Sequence, residues 1–322
     1  MESSIKIPKF KNLISSTQTV MIYTNVSFNL EKIFKNINIS SAKTVLTKRV
    51  NNIDKKKVEG NYGKIISIQR FDDIRGLDLK KKKKSDKLKS TNKVNYFRNQ
   101  NSIWLCMNKK DGYSSLLNIM IFKDSLKLAG CSTIEQAIEA IMILWEEYIY
   151  PNKDMWEIWL PNPTNSVKFL IDIVMRNFSF NLGFNINRIK LNTFMNGEEY
   201  KNHVSISQHE TTGHSNVNIK MYSDVPKNFK FDVLVYDLPE NSSSSKIKLG
   251  PYFLEEEKNI YRKNKKKEKK FNTFIVFSTS EIILSGRYLK NMEEKFNFFC
   301  QEVIKKKCSV EERIEKKEKF VF

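Results

Sequence analysis

The sequence predicts an α+β fold made from one unit used twice, and three stretches carry that prediction. The first is Ile119–Tyr148. Ile119–Phe122 and Leu126–Ala129 are short apolar runs around a polar turn, Lys123-Asp124-Ser125, the pattern of a β-hairpin. Gly130 ends the second strand, and Ile134, Ile138, Ile141 and Trp145 then recur at helical spacing, giving a helix with one apolar face. The second stretch, Thr273–Lys305, repeats the pattern. Strand Phe274–Phe277, turn Ser278-Thr279-Ser280, strand Ile282–Ser285 and the break at Gly286 precede a helix face of Met292, Phe296, Phe299 and Val303. The third is an echo: Thr24-Asn25-Val26-Ser27-Phe28-Asn29-Leu30 matches Arg176-Asn177-Phe178-Ser179-Phe180-Asn181-Leu182 at an offset of 152 residues. Two echoes in the same order in both halves point to a tandem duplication of strand–helix–strands–helix.

The first half spans residues 10–150. Residues 13–26 read as its first strand, and Leu30, Ile33, Phe34 and Ile37 as a short amphipathic helix. Lys43–Gly60 is polar and basic and reads as a helix end and loop, and Lys64–Phe71 as a strand. A basic loop near 78–93 contains Lys80–Lys84; a run of like charge repels itself and buries no apolar surface. Ser102–Met107 is a strand with Trp104 and Cys106 on one face and Ile103, Leu105 and Met107 on the other. Ser132, with Glu135 three residues on, has the spacing of a capping box for the long helix, and Asn291 with Glu294 does the same in the second half.

Residues 151–166, with Pro151, Pro161 and Pro163, read as a connector in which Trp156 and Trp159 pack structurally. The second half, 167–308, opens with Lys168–Val174 as a strand, and Phe184, Ile186, Ile189 and Phe194 suggest its short helix. His203–Ser207, Val217–Met221 and Phe231–Tyr236 are strand candidates, an insertion lies near 240–270, and 309–322 is a charged tail.

The chain has 322 residues, enough for a sizeable core, with 56 Lys+Arg against 36 Asp+Glu and a net charge of +20. That charge favours a polyanion, nucleic acid before membrane, although Lys- and Asn-rich usage also follows from an AT-rich genome. The four cysteines, Cys106, Cys131, Cys300 and Cys308, have no CxxC pair and suit a reducing compartment. No apolar run reaches the length of about 18 residues that suggests a membrane span, and the N-terminus lacks a signal-peptide core, so the chain is expected not to be secreted.

Enzyme signatures are weak. His209-Glu210-Thr211-Thr212-Gly213-His214 has one residue too many for HExxH, so its imidazoles would not share a helix face as that zinc motif requires. Asp72-Asp73 and Asp124 are scattered turn carboxylates, and there is no phosphate-binding glycine loop. No enzyme activity, metal or cofactor is expected.

Alternation places the helix-free side of each hairpin. In the first, Asn118, Met120, Phe122, Lys127 and Ala129 face away from the helices; in the second, Thr273, Ile275, Phe277, Ile283 and Ser285 do. These faces are apolar and small-polar with one lysine, unusual for surface that meets only water. The floor of the DNA minor groove suits such a face.

The pattern F-x-[NS]-G-x-[IV]-x-[LT]-[TS]-G before a long helix resembles the TATA-binding protein family, most closely the divergent TATA-binding-protein-like factors of large nucleocytoplasmic DNA viruses. It is matched by Phe122–Gly130, one residue short, and by Phe277–Gly286. The likeness also takes in Ile22–Asn25, Lys64–Arg70, Arg75–Lys84, Phe97-Arg98-Asn99 and Val217–Lys220, most of residues 13–307.

The resemblance implies a saddle of two pseudo-symmetric halves, each a curved antiparallel sheet with helices on the convex side. It also implies a transcription initiation factor that binds promoter DNA in the minor groove as a monomer, bends it and helps recruit RNA polymerase with basal transcription factors. The expected location is the nucleus of a host or a cytoplasmic viral factory. The alternative on the same fold is a non-specific architectural DNA-binding protein.

Minor-groove wedging by phenylalanines is a known device of that family. By position Phe122 and Phe277 match one wedge in each half, the alternative being core residues at strand ends; Phe97 and Trp104 are candidates for a second wedge. Met120, Lys127, Ala129, Ile275, Ile283, Ser285, Thr17 and Thr19 complete the implied DNA-binding set. Three departures bear on sequence preference more than on fold. Thr17 and Phe169 stand in the register of the family's central asparagines, Ala129 and Ser285 replace the threonine before the glycine, and Ser125 and Thr279-Ser280 replace the turn glycine.

Overall fold

The computed structural model describes residues 8–50, 53–79, 99–110, 113–159, 166–211, 215–223, 232–238, 246–251 and 270–312. Lys80–Lys84, Phe97, Pro161–Asn165, Phe231, His214, most of the 240–270 insertion and 313–322 lie outside them. The chain is mostly antiparallel sheet with few helices. In order it forms β1 (Ser15–Thr24), β2 (Val26–Phe28), α1 (Leu30–Asn36), β3 (Lys43–Val50), β4 (Ile53–Glu59), β5 (Ile65–Arg70), β6 (Asp73–Gly76), β7 (Asn101–Lys110), β8 (Tyr113–Ile121) and β9 (Ser125–Cys131). Then come α2 (Ile134–Ile143), which runs on into a π-helical turn at Leu144–Ile149, β10 (Trp156–Ile158) and β11 (Ser166–Asn181). The remainder is α3 (Arg188–Met195), β12 (Val204–Glu210), β13 (Asn216–Ser223), β14 (Asp232–Asp237), β15 (Lys246–Pro251), β16 (Lys270–Val276), β17 (Glu281–Gly286), α4 (Leu289–Lys305) and α5 (Lys307–Val310).

These elements divide into two compact units that are not contiguous in sequence. The N-unit is Thr19–Ile173 with Asn228–Asn264; the C-unit is Met1–Gln18, Val174–Lys227 and Lys265–Phe322. In the N-unit the strands lie in the order β1-β9-β8-β7-β5-β6, and Ser166–Ile171 of β11 pairs with β14, which pairs with β15. In the C-unit the order is β11-β17-β16-β13-β12, beginning with Arg176–Asn181 of β11.

The N-unit core gathers Val20 and Ile22 of β1, Leu126 and Leu128 of β9, and Ile119 and Ile121 of β8 beneath α2. Ala137 and Ala140 let that helix lie close to the sheet, and Trp145 fills the space beyond them. Its ring meets Trp156 edge-on at 5.0 Å and Phe169 at 5.3 Å. Trp156 sits on β10, which pairs with β2, so the connector's tryptophan is structural, as expected. In the C-unit, α4 buries Met292, Phe296, Phe299 and Val303, the face read from the sequence. Phe299 stacks on Phe274 of β16 at 4.4 Å. Gly286 has to be small: a Cβ there would run into Asn272 Oδ1 and Met292.

Four local readings are corrected. Lys43–Gly60 is not a helix end and loop but the β3–β4 hairpin, whose Val45 pairs with Lys57 and Thr44 with Val58. Val58 of this hairpin is buried with Ile66 and Cys106. The cap of α2 is Thr133, which accepts from the Gln136 amide, while Ser132 hydrogen bonds the Gln136 side chain. Asn291 does not cap α4; it lies inside the first turn, and its Oδ1 accepts from Asn272 across the core. Finally, α3 buries Leu191 and Met195, and Ile189 is 66% exposed, because the helix starts later than the apolar spacing suggested.

Candidate nucleic-acid interface

Alternation along the strands decides what the helices leave uncovered. In the C-unit, Phe178 and Phe180, Ile282 and Leu284, Phe274 and Val276, and Val217, Ile219 and Met221 all point into the core under α3 and α4. The residues between them face the other way, and cross-strand register lines them up. One row runs Asn177, Ser285, Thr273, Lys220, and the next Ser179, Ile283, Ile275, Asn218. Ile206 extends the first row and Gln208 the second. Ile275 and Ile283 are direct partners and half-buried, while Ile206, Met175 and Tyr222 on the same face are 48%, 38% and 37% exposed. Among these side chains Lys220 alone is charged, and the others offer amides, hydroxyls and apolar surface.

Asn177 anchors the first row. Its Nδ2 donates to Thr17 Oγ1 at 2.9 Å, and its Oδ1 accepts from Ser285 Oγ at 2.7 Å. The three residues thus form one hydrogen-bonded strip at the end of the sheet. Asn177 was legible only as part of the echo; the register expected for the central asparagines pointed instead to Thr17 and Phe169. Phe169 is a core residue of the N-unit. Asn25, the echo partner of Asn177, is buried. Its side chain clamps the start of β11, donating to Ser166 O and accepting from Lys168 N, each at 2.9 Å.

Phe277 follows β16 at the mouth of the turn to β17, and its amide donates to Glu281 O at 3.0 Å. Ser280, at φ +60°, donates its hydroxyl to Asn181 Oδ1 at 2.6 Å and so fixes the turn. Phe122 holds the equivalent place after β8, its amide donating to Ser125 O at 2.8 Å. Both rings are half-buried, and neither belongs to a core cluster. Phe122 lines an open cleft of about 900 Å³ whose wall mixes Arg70, Lys123 and Lys153 with Glu31, Asp124, Asp154 and Glu157.

The N-unit face is different. Met120 and Lys127 are cross-strand partners, as are Asn118 and Ala129, and Met120, Lys127 and Ala129 are half-buried. Thr19 is half-buried and Thr17, in the C-unit, is exposed. Farther along this side, Ile66 of β5 and Cys106 of β7 are fully buried with Val58 of the β3–β4 hairpin, and Trp104 packs into the same cluster. Trp104 is therefore not a strand-end wedge. His209 lies on β12, a strand, where its Nε2 meets Ser215 Oγ at 3.2 Å. Among the described residues no three His, Cys, Asp or Glu side chains are grouped to hold a metal ion. No described helix is long and apolar enough to cross a membrane.

No protein-family profile and no curated protein matches the chain. Among solved structures it is similar to a TATA-binding protein of Methanococcus jannaschii, at 9% identity and a TM-score of 0.39, over 91% of this chain and 98% of that one. A di-domain ARO/CYC protein, StfQ, from the steffimycin biosynthetic pathway aligns at 6% identity and a TM-score of 0.14, over 87% and 93%.

Proposed function

We propose that this protein is a non-enzymatic, TATA-binding-protein-like factor whose helix-free sheet faces dock in the minor groove of duplex DNA. The observation that carries the reading is the open face of the C-unit. There Ile275 and Ile283 form an apolar centre, and Asn177, Ser179, Thr273, Ser285 and Asn218 surround it. Such a face is poorly made for phosphates and well made for the minor-groove floor, where acceptors at A·T pairs meet amide and hydroxyl donors and apolar contact is tolerated. Phosphate attraction comes from the net charge of +20. In this reading Phe122 and Phe277 enter base steps and bend the duplex, and the two units are the halves of a duplicated saddle. Promoter recognition and recruitment of basal factors and polymerase belong to the same proposal.

The test is a binding and bending assay on short duplexes of matched length, one AT-rich and one GC-rich. The expected result is a bend, salt-sensitive affinity and a preference for the AT-rich duplex of at least about tenfold, about 1.4 kcal/mol. Bending without preference would leave an architectural protein; binding without bending would remove the wedges from the mechanism.

A further inference from the structure

We propose that the groove along α2 in the N-unit is a docking site for a basic, amphipathic segment of a partner protein. The groove has a volume of about 1070 Å³ and lies between α2 with its π-helical turn and the ends of β7, β8 and β9. Its floor is apolar, with Ile138, Met142 and Ile143, and its rim carries Glu135, Glu139, Glu146 and Glu147. Among the described residues that line it there is no lysine or arginine, and a nearby cation, Lys64, is paired with Glu147 at the rim. In a chain with 56 cationic and 36 anionic side chains, that is a local reversal of sign.

The carboxylates are held in place. Glu139 accepts from the Tyr62 hydroxyl, Glu146 from the Tyr236 hydroxyl at 3.1 Å, and Glu147 pairs with Lys64 at 2.9 Å. Glu135 and Glu139 stand one helical turn apart with like charge, an unfavourable spacing unless a cation comes between them. DNA is repelled here, and the groove shares no residue with the open sheet rows, so the site does not depend on the DNA reading. A helix with an apolar stripe flanked by lysine or arginine matches both floor and rim, which is the helix-in-groove mode with electrostatic complementarity.

The probe is a fluorescent Leu/Lys peptide with leucines at i, i+3, i+4 and i+7, set against a scrambled peptide of the same composition, both titrated with the full chain. The patterned peptide should bind at least about tenfold more tightly than the scrambled one and shift the methyl signals of Ile138, Met142 and Ile143. Glu135→Lys with Glu146→Lys should weaken it at least about tenfold. Because Glu146 also accepts from buried Tyr236, the exposed single change Glu135→Lys gives a second reading if the double variant does not fold, with a loss of about threefold expected. Equal affinity for the scrambled peptide, no binding, or affinity unchanged by Glu135→Lys would each overturn the proposal. Binding that emerges only after deletion of residues 313–322 would also overturn it, by assigning the groove to the chain's own basic tail.

Discussion

The strands of the two units follow the same order, yet their helix-free faces differ. In the C-unit the outer strands leave Ile206 and Tyr222 exposed beside Asn218 and Lys220. In the N-unit the strands at the corresponding places in the order bury Ile66 and Cys106 completely, because the β3–β4 hairpin brings Val58 over them. The pairs at the centre differ as well: Ile275 faces Ile283 in one unit, and Met120 faces Lys127 in the other. Strand order and apolar alternation build the sheet. An inserted hairpin and a few side chains then decide how much of it is available to a ligand. On the DNA reading, the C-unit supplies most of the apolar groove contact, and the N-unit supplies a smaller contact.

Placing a carboxylate at the centre of each face is the strongest way to break this asymmetry. Ile275→Asp should weaken binding to an AT-rich duplex by about 30-fold, about 2 kcal/mol. Met120→Asp should cost about threefold, less than about 1 kcal/mol. Fluorescence anisotropy at one fixed salt concentration reads both, since affinity without a stated salt has little meaning. Equal losses would mean that the two faces contribute alike.

The echoed asparagines sharpen the comparison. Asn25→Ala removes two hydrogen bonds, one to Ser166 O and one from Lys168 N, a cost of about 2 kcal/mol of folding stability. Asn177→Ala, at a half-buried place, should cost about 1 kcal/mol or less and instead lower DNA affinity. Denaturant melts and binding titrations on the two variants should therefore move in opposite proportions. Two similar melts would mean that the echo preserved one structural role.

The wedge positions give a smaller effect on stability and a clear one on DNA shape. Phe122→Ala and Phe277→Ala should each lower stability by about 1 kcal/mol or less, against about 3–5 kcal/mol for a core phenylalanine. Each should reduce the bend measured by end-to-end energy transfer. A large loss of stability with normal bending would return both residues to the core.

Much of this was legible because it depended on periodicity. The hairpin at Ile119–Ala129, the face of α4 and the sidedness of Trp104 and Cys106 all follow from alternation of two or of about 3.6 along the chain. What alternation missed was set by tertiary partners. The β3–β4 hairpin has lysines where a buried strand would have apolar residues, and only its packing on β5 and β7 shows why it is a strand. Asn291 matched a local capping rule but serves Asn272 across the core. Asn25 and Asn177 are equal in the echo, and only the neighbours Ser166 and Thr17 separate a clamp from an open strip. The basic loop with Lys80–Lys84 lies outside the described residues.

The smallest effect concerns a feature that the two units share. Each buries a tyrosine whose hydroxyl donates to a glutamate of its long helical segment: Tyr236 to Glu146 at 3.1 Å in the N-unit, and Tyr200 to Glu302 at 2.9 Å in the C-unit. Burial, reinforced by the neighbouring carboxylate, pushes both phenols above their ordinary range. An acid whose pKa is raised by folding keeps its proton in the folded state while the unfolded chain releases it. Stability from this source is therefore intact below the unfolded value, near pH 10, and falls as pH rises beyond it. Each tyrosine should cost about 0.4 kcal/mol by pH 10 and at most about 1.4 kcal/mol per further pH unit. Tyr236→Phe and Tyr200→Phe should each flatten the decline in denaturant stability between pH 9 and pH 11 by about that amount. The phenolate absorbance of both residues should appear together with loss of far-ultraviolet ellipticity. If one variant flattens the curve and the other does not, the two units do not shield their tyrosines alike, and the asymmetry of the sheet faces extends to the helix-covered side.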